Sequence, residues 1–269
     1  MRSSRFVFLL VLLVLLVSAK SALARQASSS APQATVLLQH ALAALTGGHP
    51  ITDVTLSGTV ERIAGSDDES GTVVIKALAG TGSIIDLTFP SGPRSEIRNT
   101  SSAPAVGSWS GPDSVSHATA DSNLVTDPGW FPAFALAGFA TSQNAIITYV
   151  GQETKNGSAV IHITASIQFP GRGAAGGAFM QHFSQTEIYL DPSTLLPVAI
   201  AYSIHPDKNS SLDIPTEIDY SDYQLRNGSQ IPLHIQKLVN NVLNLDLKLT
   251  NAVVNSGLSA ATFAVGSGL

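Results

Sequence analysis

The chain has 269 residues, a formal net charge of −5, no cysteine, only 12% charged residues and a mean hydropathy of +0.22. The lack of cysteine excludes disulfides and a thiol nucleophile, and the negative charge disfavours nucleic acids and anionic membrane surfaces as partners. Such an apolar chain requires a large core and leaves room for an apolar pocket.

The first 24 residues have the pattern of a secretory signal peptide. A basic stretch at residues 1–5 precedes an apolar run at residues 6–19, and Ala22-Leu23-Ala24 supplies the small residues of a cleavage site. We predict cleavage after Ala24, with Ala27 as the second choice and an uncleaved signal anchor as the alternative. The mature protein, residues 25–269, is then periplasmic or secreted, has no stable membrane span and forms a single β domain.

Residues 32–45 carry the apolar spacing of a helix. Pro32 suits a first helical turn, and Gly47-Gly48 provides the stop. From Val54 the apolar period changes to two, which predicts strands at residues 54–61, 72–78, 83–89 and 94–98. Asp67-Asp68-Glu69 lies in the first turn between them, and its spacing matches a solvated turn rather than a calcium loop.

Residues 99–128 lack periodicity and are rich in Ser, Ala, Pro, Gly and Asp, which predicts a long loop carrying Trp109 and His117. A short apolar helix follows Pro132. An aromatic group surrounds that helix in a chain with only 6% aromatic residues: Trp130, Phe131, Phe134 and Phe139. These side chains either pack in the core or face a ligand as a lid.

The rest of the chain alternates again with period two. Strands are predicted at residues 145–150, 158–169, 185–190, 196–204 and 239–250, and residues 218–235 form a hairpin that turns at Asn227-Gly228. The glycine-rich residues 170–178 are predicted to be a flexible linker. The fold class is therefore mainly β (α+β): a curved antiparallel sheet or half-open β-barrel of about ten to eleven strands, with one or two apolar helices in its concave face.

The sequence lacks the local signatures of the common catalytic and metal sites. There is no Gly-x-Ser-x-Gly and no His-Glu-x-x-His, and the seven histidines are scattered along the chain. We therefore predict no enzyme activity, no cofactor and no metal, while a site assembled from distant strands stays open. His162 is interpreted as a solvent-exposed residue on the polar face of its strand, and His182 as an entry residue of the next strand.

The order of these elements resembles the periplasmic lipoprotein-carrier superfamily, the LolA/LolB-like proteins. The similarity includes the apolar first helix, the strands Leu56-Ser-Gly-Thr-Val60 and Gly71-Thr-Val-Val-Ile-Lys76, and the helical insertion in mid-chain. It extends to Ile218-Asp-Tyr-Ser-Asp-Tyr223, Gly228-x-x-Ile-Pro-Leu233, Asn251-Ala-Val-Val-Asn255 and the closing Leu258-x-x-x-x-Phe263. The resemblance implies an unclosed antiparallel sheet whose helices enclose an apolar cavity for acyl chains.

The resemblance also implies an arginine that locks the helical lid. Arg62, Arg94 and Arg98 are all candidates by position. The long loop at residues 99–128 and the linker at residues 170–178 depart from the family pattern, so the fold can carry over without the lipoprotein cargo.

Two functions remain as hypotheses. The first is a binding or carrier protein for an acyl-chain-like ligand, a lipid or lipoprotein, which would contact five residues of the aromatic segment: Trp130, Phe131, Phe134, Leu136 and Phe139. The second is an extracytoplasmic protein-interaction module in which the helices fill the concave face and leave no cavity. An enzyme is a third alternative, for which no acid, base or nucleophile stands out.

Overall fold

The computed structural model describes residues 31–266. The predicted signal peptide, residues 1–24, and its cleavage site therefore lie outside the described residues. The first helix, α1, is described over residues 31–46 and is followed by Gly47 and Gly48, whose φ angles are 61° and 76°. Glycine accepts this left-handed backbone without a steric penalty, so the helix stops where the sequence predicts.

Thirteen strands and three further helices follow α1 in the described chain. The strands are β1 (Asp53–Arg62), β2 (Glu69–Leu78), β3 (Gly82–Phe89), β4 (Gly92–Asn99), β5 (Val106–Ser110), β6 (Ser116–Ala118), β7 (Ala145–Lys155), β8 (Ser158–Ile167), β9 (Thr186–Leu190), β10 (Pro197–Ile204), β11 (Ile214–Arg226), β12 (Ser229–Val239) and β13 (Val242–Val254). The helices are α2 (Asp121–Leu124), α3 (Pro132–Thr141) and α4 (Gly173–Phe183), with 3₁₀ turns at Gly65–Asp67, Pro170–Arg172 and Ala260–Phe263. None of the helices in this part of the chain is long and apolar enough to cross a membrane.

All thirteen strands form one sheet in the order β6-β5-β4-β3-β2-β1-β13-β12-β11-β10-β9-β8-β7. The first strand pairs antiparallel with the last, and two meanders run outward from this central pair. In the described chain the meanders end at β6 and β7, which are the two edges of an open sheet. The predicted class, a mainly β protein with a curved antiparallel sheet, is confirmed.

The strand count is higher than the ten to eleven predicted. The two strands that the prediction lacks, β5 and β6, lie with α2 inside residues 99–128, which were predicted to be a long loop. All three residues of β6 are exposed, and β5 contains two serines and a glycine. Neither strand has the apolar alternation by which a half-buried strand is recognised.

Residues 170–178 are not the predicted flexible linker. They form the 3₁₀ turn Pro170–Arg172 and the first half of α4. Glycine costs about 1 kcal/mol per residue in a helix relative to alanine, which is why composition argues against a helix here. The helix forms nevertheless because it packs against β8 and α2, and because Ser184 binds the end of β8 through a 2.8 Å hydrogen bond from the Ile167 N–H.

One hydrophobic core joins the helices to a single face of the sheet. The apolar stripe of α1, Ala34, Leu38, Ala41 and Leu45, is at most 1% exposed. Alternate residues of the strands meet this stripe, as Val54 and Leu56 do in β1. The period-two pattern in the sequence is therefore the pattern of inward-facing side chains.

The backbones of the central strand pair, β1 and β13, approach each other closely at Gly58. The register between β1 and β13 shifts between Ser57 and Gly58, which marks a β-bulge. A Cβ atom added at Gly58 would lie 2.2 Å from the Lys248 carbonyl oxygen. Only glycine fits here without moving one of the two strands.

We expect the substitution Gly58→Ala to lower the free energy of unfolding by about 1–3 kcal/mol, because the added methyl group overpacks the β1–β13 contact. Urea denaturation followed by circular dichroism measures the change. Gly138→Ala is the matched control, since a Cβ at Gly138 in α3 meets nothing within 4 Å. The control should be neutral or stabilising by up to about 1 kcal/mol; an equal loss in both variants would contradict the proposed close approach.

Candidate ligand-binding site

One segment of the chain connects the two edge strands of the sheet, β6 and β7, and lies across the concave face between them. Residues 119–144 lead from β6 to β7, which lie at opposite ends of the strand order. We call this segment, which carries α2 and α3, the crossover. Its helix α3 begins with Pro132 at a position where the missing N–H costs nothing.

A cavity of about 560 Å³ lies between the crossover and the sheet. The sheet contributes the β2–β3 turn, Arg98 of β4 and Ile167 of β8, and the crossover contributes residues 124–128 and one side of α3. β4 and β8 are far apart in the strand order, so the sheet has to curve around the crossover to bring them to one cavity. The volume falls within the roughly 300–1,000 Å³ typical of small-molecule sites.

Four of the five residues predicted to bind a ligand line this cavity: Trp130, Phe131, Phe134 and Phe139. Phe131 and Phe134 meet edge to face, with ring centroids 4.9 Å apart. The fifth, Leu136, is fully buried in the main core and is not part of the cavity lining. The aromatic residues that line the cavity also belong to the core or pack against it. The two interpretations of these side chains, core packing and a wall that faces a ligand, are therefore compatible.

Arg98 ties the crossover to the sheet. Its Nη1 donates hydrogen bonds to the carbonyl oxygens of Asn123 at 2.6 Å and Thr126 at 3.0 Å. On β4, two residues before it, Glu96 accepts a 2.5 Å bond from its Nε. The arginine side chain is only 7% exposed, so both carbonyls and the carboxylate are held in a region of low polarity, where charge-assisted bonds are strong.

Two tyrosines of the second meander hold the same segment from the other side. The hydroxyl of Tyr202 donates to the Pro128 carbonyl at 3.1 Å, and the hydroxyl of Tyr220 donates to the Gly129 carbonyl at 2.5 Å. Both tyrosines are buried, and burial raises the pKa of each phenol above its ordinary value. The crossover backbone is therefore bonded to both meanders of the sheet.

The concave face contains charged groups as well as apolar ones. Burial alone would raise the pKa of Glu96, but the positive charges of Arg98 and Lys237 outweigh it, and the pKa lies below the ordinary value. Burial lowers the pKa of Lys237, whose Nζ lies 5.4 Å from the ring centroid of Trp130. Burial also raises the pKa of Asp127, which accepts a 2.8 Å bond from the Gly129 N–H.

Known structures share this architecture at low sequence identity. No protein-family model matches the sequence, and no curated protein matches it. A Vibrio parahaemolyticus domain named for outer membrane lipoprotein sorting matches with a TM-score of 0.53 and 12% identity, over 87% of this chain and 97% of the other. A DUF1329 family protein from Desulfovibrio piger matches with a TM-score of 0.53 and 10% identity, over 86% and 97% of the two chains. A LolA superfamily protein from Nitrosomonas europaea matches with a TM-score of 0.50 and 11% identity over the same shares.

The protein has a LolA/LolB-like fold. The resemblance seen in the sequence is thereby confirmed at the level of the fold.

Of the three arginines singled out in the sequence, Arg98 is the one that donates side-chain hydrogen bonds to the crossover within residues 31–266. Arg62 and Arg94 both pair with Glu69, at 3.2 and 3.4 Å, near the β1–β2 turn. The sequence does not separate the three because each lies on a predicted strand or at its end. Their partners depend on which face of the curved sheet each side chain occupies.

Two polar members of the concave face were missed from the sequence: Lys237 and Asp127. The only local signal is positional, since Lys237 continues the inward-facing series Ile231, Leu233 and Ile235 of β12. A lysine at an inward position is unusual and predicts a buried charge partner. Asp127 lies in an aperiodic segment and gives no such signal.

The histidines and the loop tryptophan considered in the sequence lie away from the cavity lining. Trp109 stacks on His117 with ring centroids 4.4 Å apart and remains 41% exposed. His162 is more enclosed than predicted, because it stacks on Tyr189 and contacts Glu187 at 2.7 Å. His182 lies in the last turn of α4 rather than at the entry of a strand.

We expect Arg98→Met to cost about 2–4 kcal/mol of the free energy of unfolding, because it removes the partner of the half-buried Glu96 and leaves the Asn123 and Thr126 carbonyl oxygens without a donor. Amide hydrogen exchange within residues 121–129 should also accelerate, since two of their carbonyls lose a donor. Arg94→Met, on the same strand, should change stability by no more than about 1 kcal/mol. Equal effects of the two substitutions on stability and exchange would contradict the role assigned to Arg98.

Asp219 on β11 is expected to make the stability of the protein depend on pH. Burial, together with the neighbouring Glu217, raises its pKa from 3.8 to about 7. The folded state therefore keeps a proton that the unfolded chain has already released, so this residue's contribution to stability is lost as the pH rises from about 4 to about 7. Asp219→Asn should flatten that part of the stability profile, measured by urea denaturation across the range. The exposed Asp222→Asn is the control, and an unchanged slope in Asp219→Asn would contradict the prediction.

Proposed function

We propose that the protein is an exported, non-enzymatic binding or carrier protein for a hydrophobic, acyl-chain-like ligand, a lipid or a lipoprotein. The observation that carries the proposal is the cavity of about 560 Å³ between the crossover and the sheet, with its aromatic lining. The signal-peptide pattern of residues 1–24 supports export and therefore a function in the periplasm or outside the cell.

The chemistry of the lining suits an acyl chain. Trp130, Phe131, Phe134 and Phe139 offer broad apolar surfaces, while Thr126, Asp127 and Arg98 supply a few polar groups at one part of the wall. Each methylene group that leaves water contributes about 0.8 kcal/mol to binding, so affinity would grow with the length of the chain bound. The polar groups would orient the ester or carboxyl end of the ligand, as is usual in apolar pockets.

Access to the deepest part of the wall would require the crossover to move. Trp130 and Phe131 are at most 3% exposed, whereas Phe134 is half-buried and lies nearer to solvent. Opening would break the bonds from Arg98, Tyr202 and Tyr220 to the crossover carbonyls. In this proposal Arg98 is the lid-locking arginine. When a ligand enters, the Asn123 and Thr126 carbonyl oxygens would leave Arg98 and bind water instead.

The name of the Vibrio parahaemolyticus domain, which refers to lipoprotein sorting, supports the same ligand class. The alternative of a packed interaction module without a cavity is less well supported, since it predicts that the helices fill the concave face. The cavity of about 560 Å³ beside α3 favours the carrier. Neither function requires catalysis.

Native mass spectrometry of the exported protein, purified without detergent, tests the proposal. We expect an adduct with the mass of a lipid or fatty acid that is released under mild activation. A fluorescent fatty-acid probe should bind to the delipidated protein. A bare mass together with no uptake of the probe would reject the carrier in favour of the interaction module.

Filling the cavity should weaken binding without unfolding the protein. Gly138 lines the cavity and a side chain there meets nothing within 4 Å, so Gly138→Leu should reduce probe affinity by about 10-fold or more by occupying ligand volume. Phe134→Asp should reduce it further, because it places a charge in the apolar wall. Fluorescence titration of the fatty-acid probe measures both affinities.

Gly171→Leu is the matched control for this series. Its added side chain also meets nothing within 4 Å, but Gly171 lies in the 3₁₀ turn before α4 and is not part of the cavity lining. The control should bind the probe like the natural protein. Undiminished binding in Gly138→Leu and Phe134→Asp would show that the acyl chain binds elsewhere.

A further inference from the structure

Two histidines and an aspartate from three separate segments converge beside the sheet. His182 lies in the last turn of α4, His205 directly follows β10, and Asp213 directly precedes β11. One nitrogen of each histidine and one carboxylate oxygen all lie within 4.8 Å of one another. This cluster is separate from the acyl-chain cavity and is independent of the proposed function.

Two of the distances are close to the edges of a metal coordination sphere. His182 Nε2 lies 3.0 Å from Asp213 Oδ1, and His205 Nδ1 lies 3.4 Å from the same oxygen. Nitrogen and oxygen ligands at about 2.0–2.2 Å from a tetrahedral zinc ion are about 3.3–3.5 Å apart. The ion would have to replace the direct contact between His182 and Asp213, and the His182 side chain is 46% exposed, so it is not fixed by the core.

His205 is held rigidly in position. The side chain of Asn123 in α2 makes two hydrogen bonds of 2.8 Å to the backbone of His205. Its Nδ2 donates to the carbonyl oxygen, and its Oδ1 accepts from the N–H. The buried ring packs edge-on against Phe183, with centroids 4.7 Å apart. A ligand fixed by packing loses little conformational freedom when the metal binds.

The surroundings of His205 also set the strength of binding. Its Nδ1 lies 3.2 Å from the Leu212 carbonyl oxygen, and its Nε2 is buried without a hydrogen-bond partner among residues 31–266. A metal-bound histidine normally donates its other N–H to an acceptor, which strengthens the site. We therefore expect weaker binding than at a closed structural zinc centre.

The cluster leaves one side of the ion open. His182 and Asp213 line a pocket of about 240 Å³, whose wall also includes Glu187, Ser203 and Thr216. Three protein ligands with a free position toward a pocket are the arrangement of zinc sites that bind water or an external ligand. Two imidazoles and one carboxylate favour zinc and other first-row transition metals over calcium and magnesium, which require mostly oxygen ligands.

We propose that His182, His205 and Asp213 bind one divalent transition-metal ion, Zn²⁺ or a first-row neighbour, with the open position facing the pocket. The alternative explanation, without a metal, is a half-exposed ion pair between His182 and Asp213. It accounts for two of the three groups, and a hydrogen bond from the His205 Nδ1–H to the Leu212 carbonyl oxygen accounts for the third, so zinc binding is the observation that separates the two explanations.

Zinc titration by calorimetry and native mass spectrometry tests the site, using the exported protein without a histidine tag. We expect one Zn²⁺ per chain. His182→Ala and Asp213→Asn should each weaken binding by about 100-fold or more, since loss of a second-shell partner alone costs 10–100-fold. Both side chains are nearly half exposed, so neither substitution empties the core.

His162→Ala is the matched control, because His162 also pairs with carboxylates, at 2.7 and 3.2 Å, but belongs to another cluster. It should retain one Zn²⁺ with unchanged affinity. A second measurement, the visible spectrum of the Co²⁺-loaded protein, should show the intense bands of a low-symmetry four-coordinate ion. No binding by the natural protein, or binding that survives both His182→Ala and Asp213→Asn, would overturn the proposal.

Discussion

The structure depends on the need to connect two edges of one open sheet. Because β1 pairs with β13, the two meanders grow in opposite directions and end at β6 and β7. The chain can join these edges only by passing over the side of the sheet that lies open. The crossover at residues 119–144 is thus both a connection and a cover, and the cavity is the space that it does not fill.

A cover that crosses a sheet exposes backbone carbonyls to the protein interior, and these require donors. Arg98, Tyr202 and Tyr220 supply them from strands on both meanders. Such bonds are strong in a buried setting, yet they are few and directed at one short segment. These bonds fix the backbone of residues 123–129 against the sheet.

The crossover also reaches the histidine cluster on its far side. Asn123 binds the backbone of His205, and the hydroxyl of Thr126 donates to the carbonyl oxygen of Phe183 at the end of α4. Arg98 binds the carbonyl oxygens of the same two crossover residues. The cavity wall, the arginine contact and the proposed metal ligands are consequently adjacent parts of one hydrogen-bonded region, although their chemistry differs.

The sequence by itself determined the elements that follow from local rules. The stop of α1 at Gly47-Gly48, the turn at Asn227-Gly228 with φ angles of 47° and 82°, and α3 after Pro132 all depend on the preferences of a few neighbouring residues. The five residues predicted to bind a ligand were chosen from their concentration around that helix; four of them line the cavity, and their contact with a ligand stays a prediction. Only the tertiary structure decided the pairing of β1 with β13, the folding of α4 from a glycine-rich segment, the choice of Arg98 and the meeting of His182, His205 and Asp213. These features join residues distant in the chain, so they depend on how the whole sheet curves and packs rather than on any local preference.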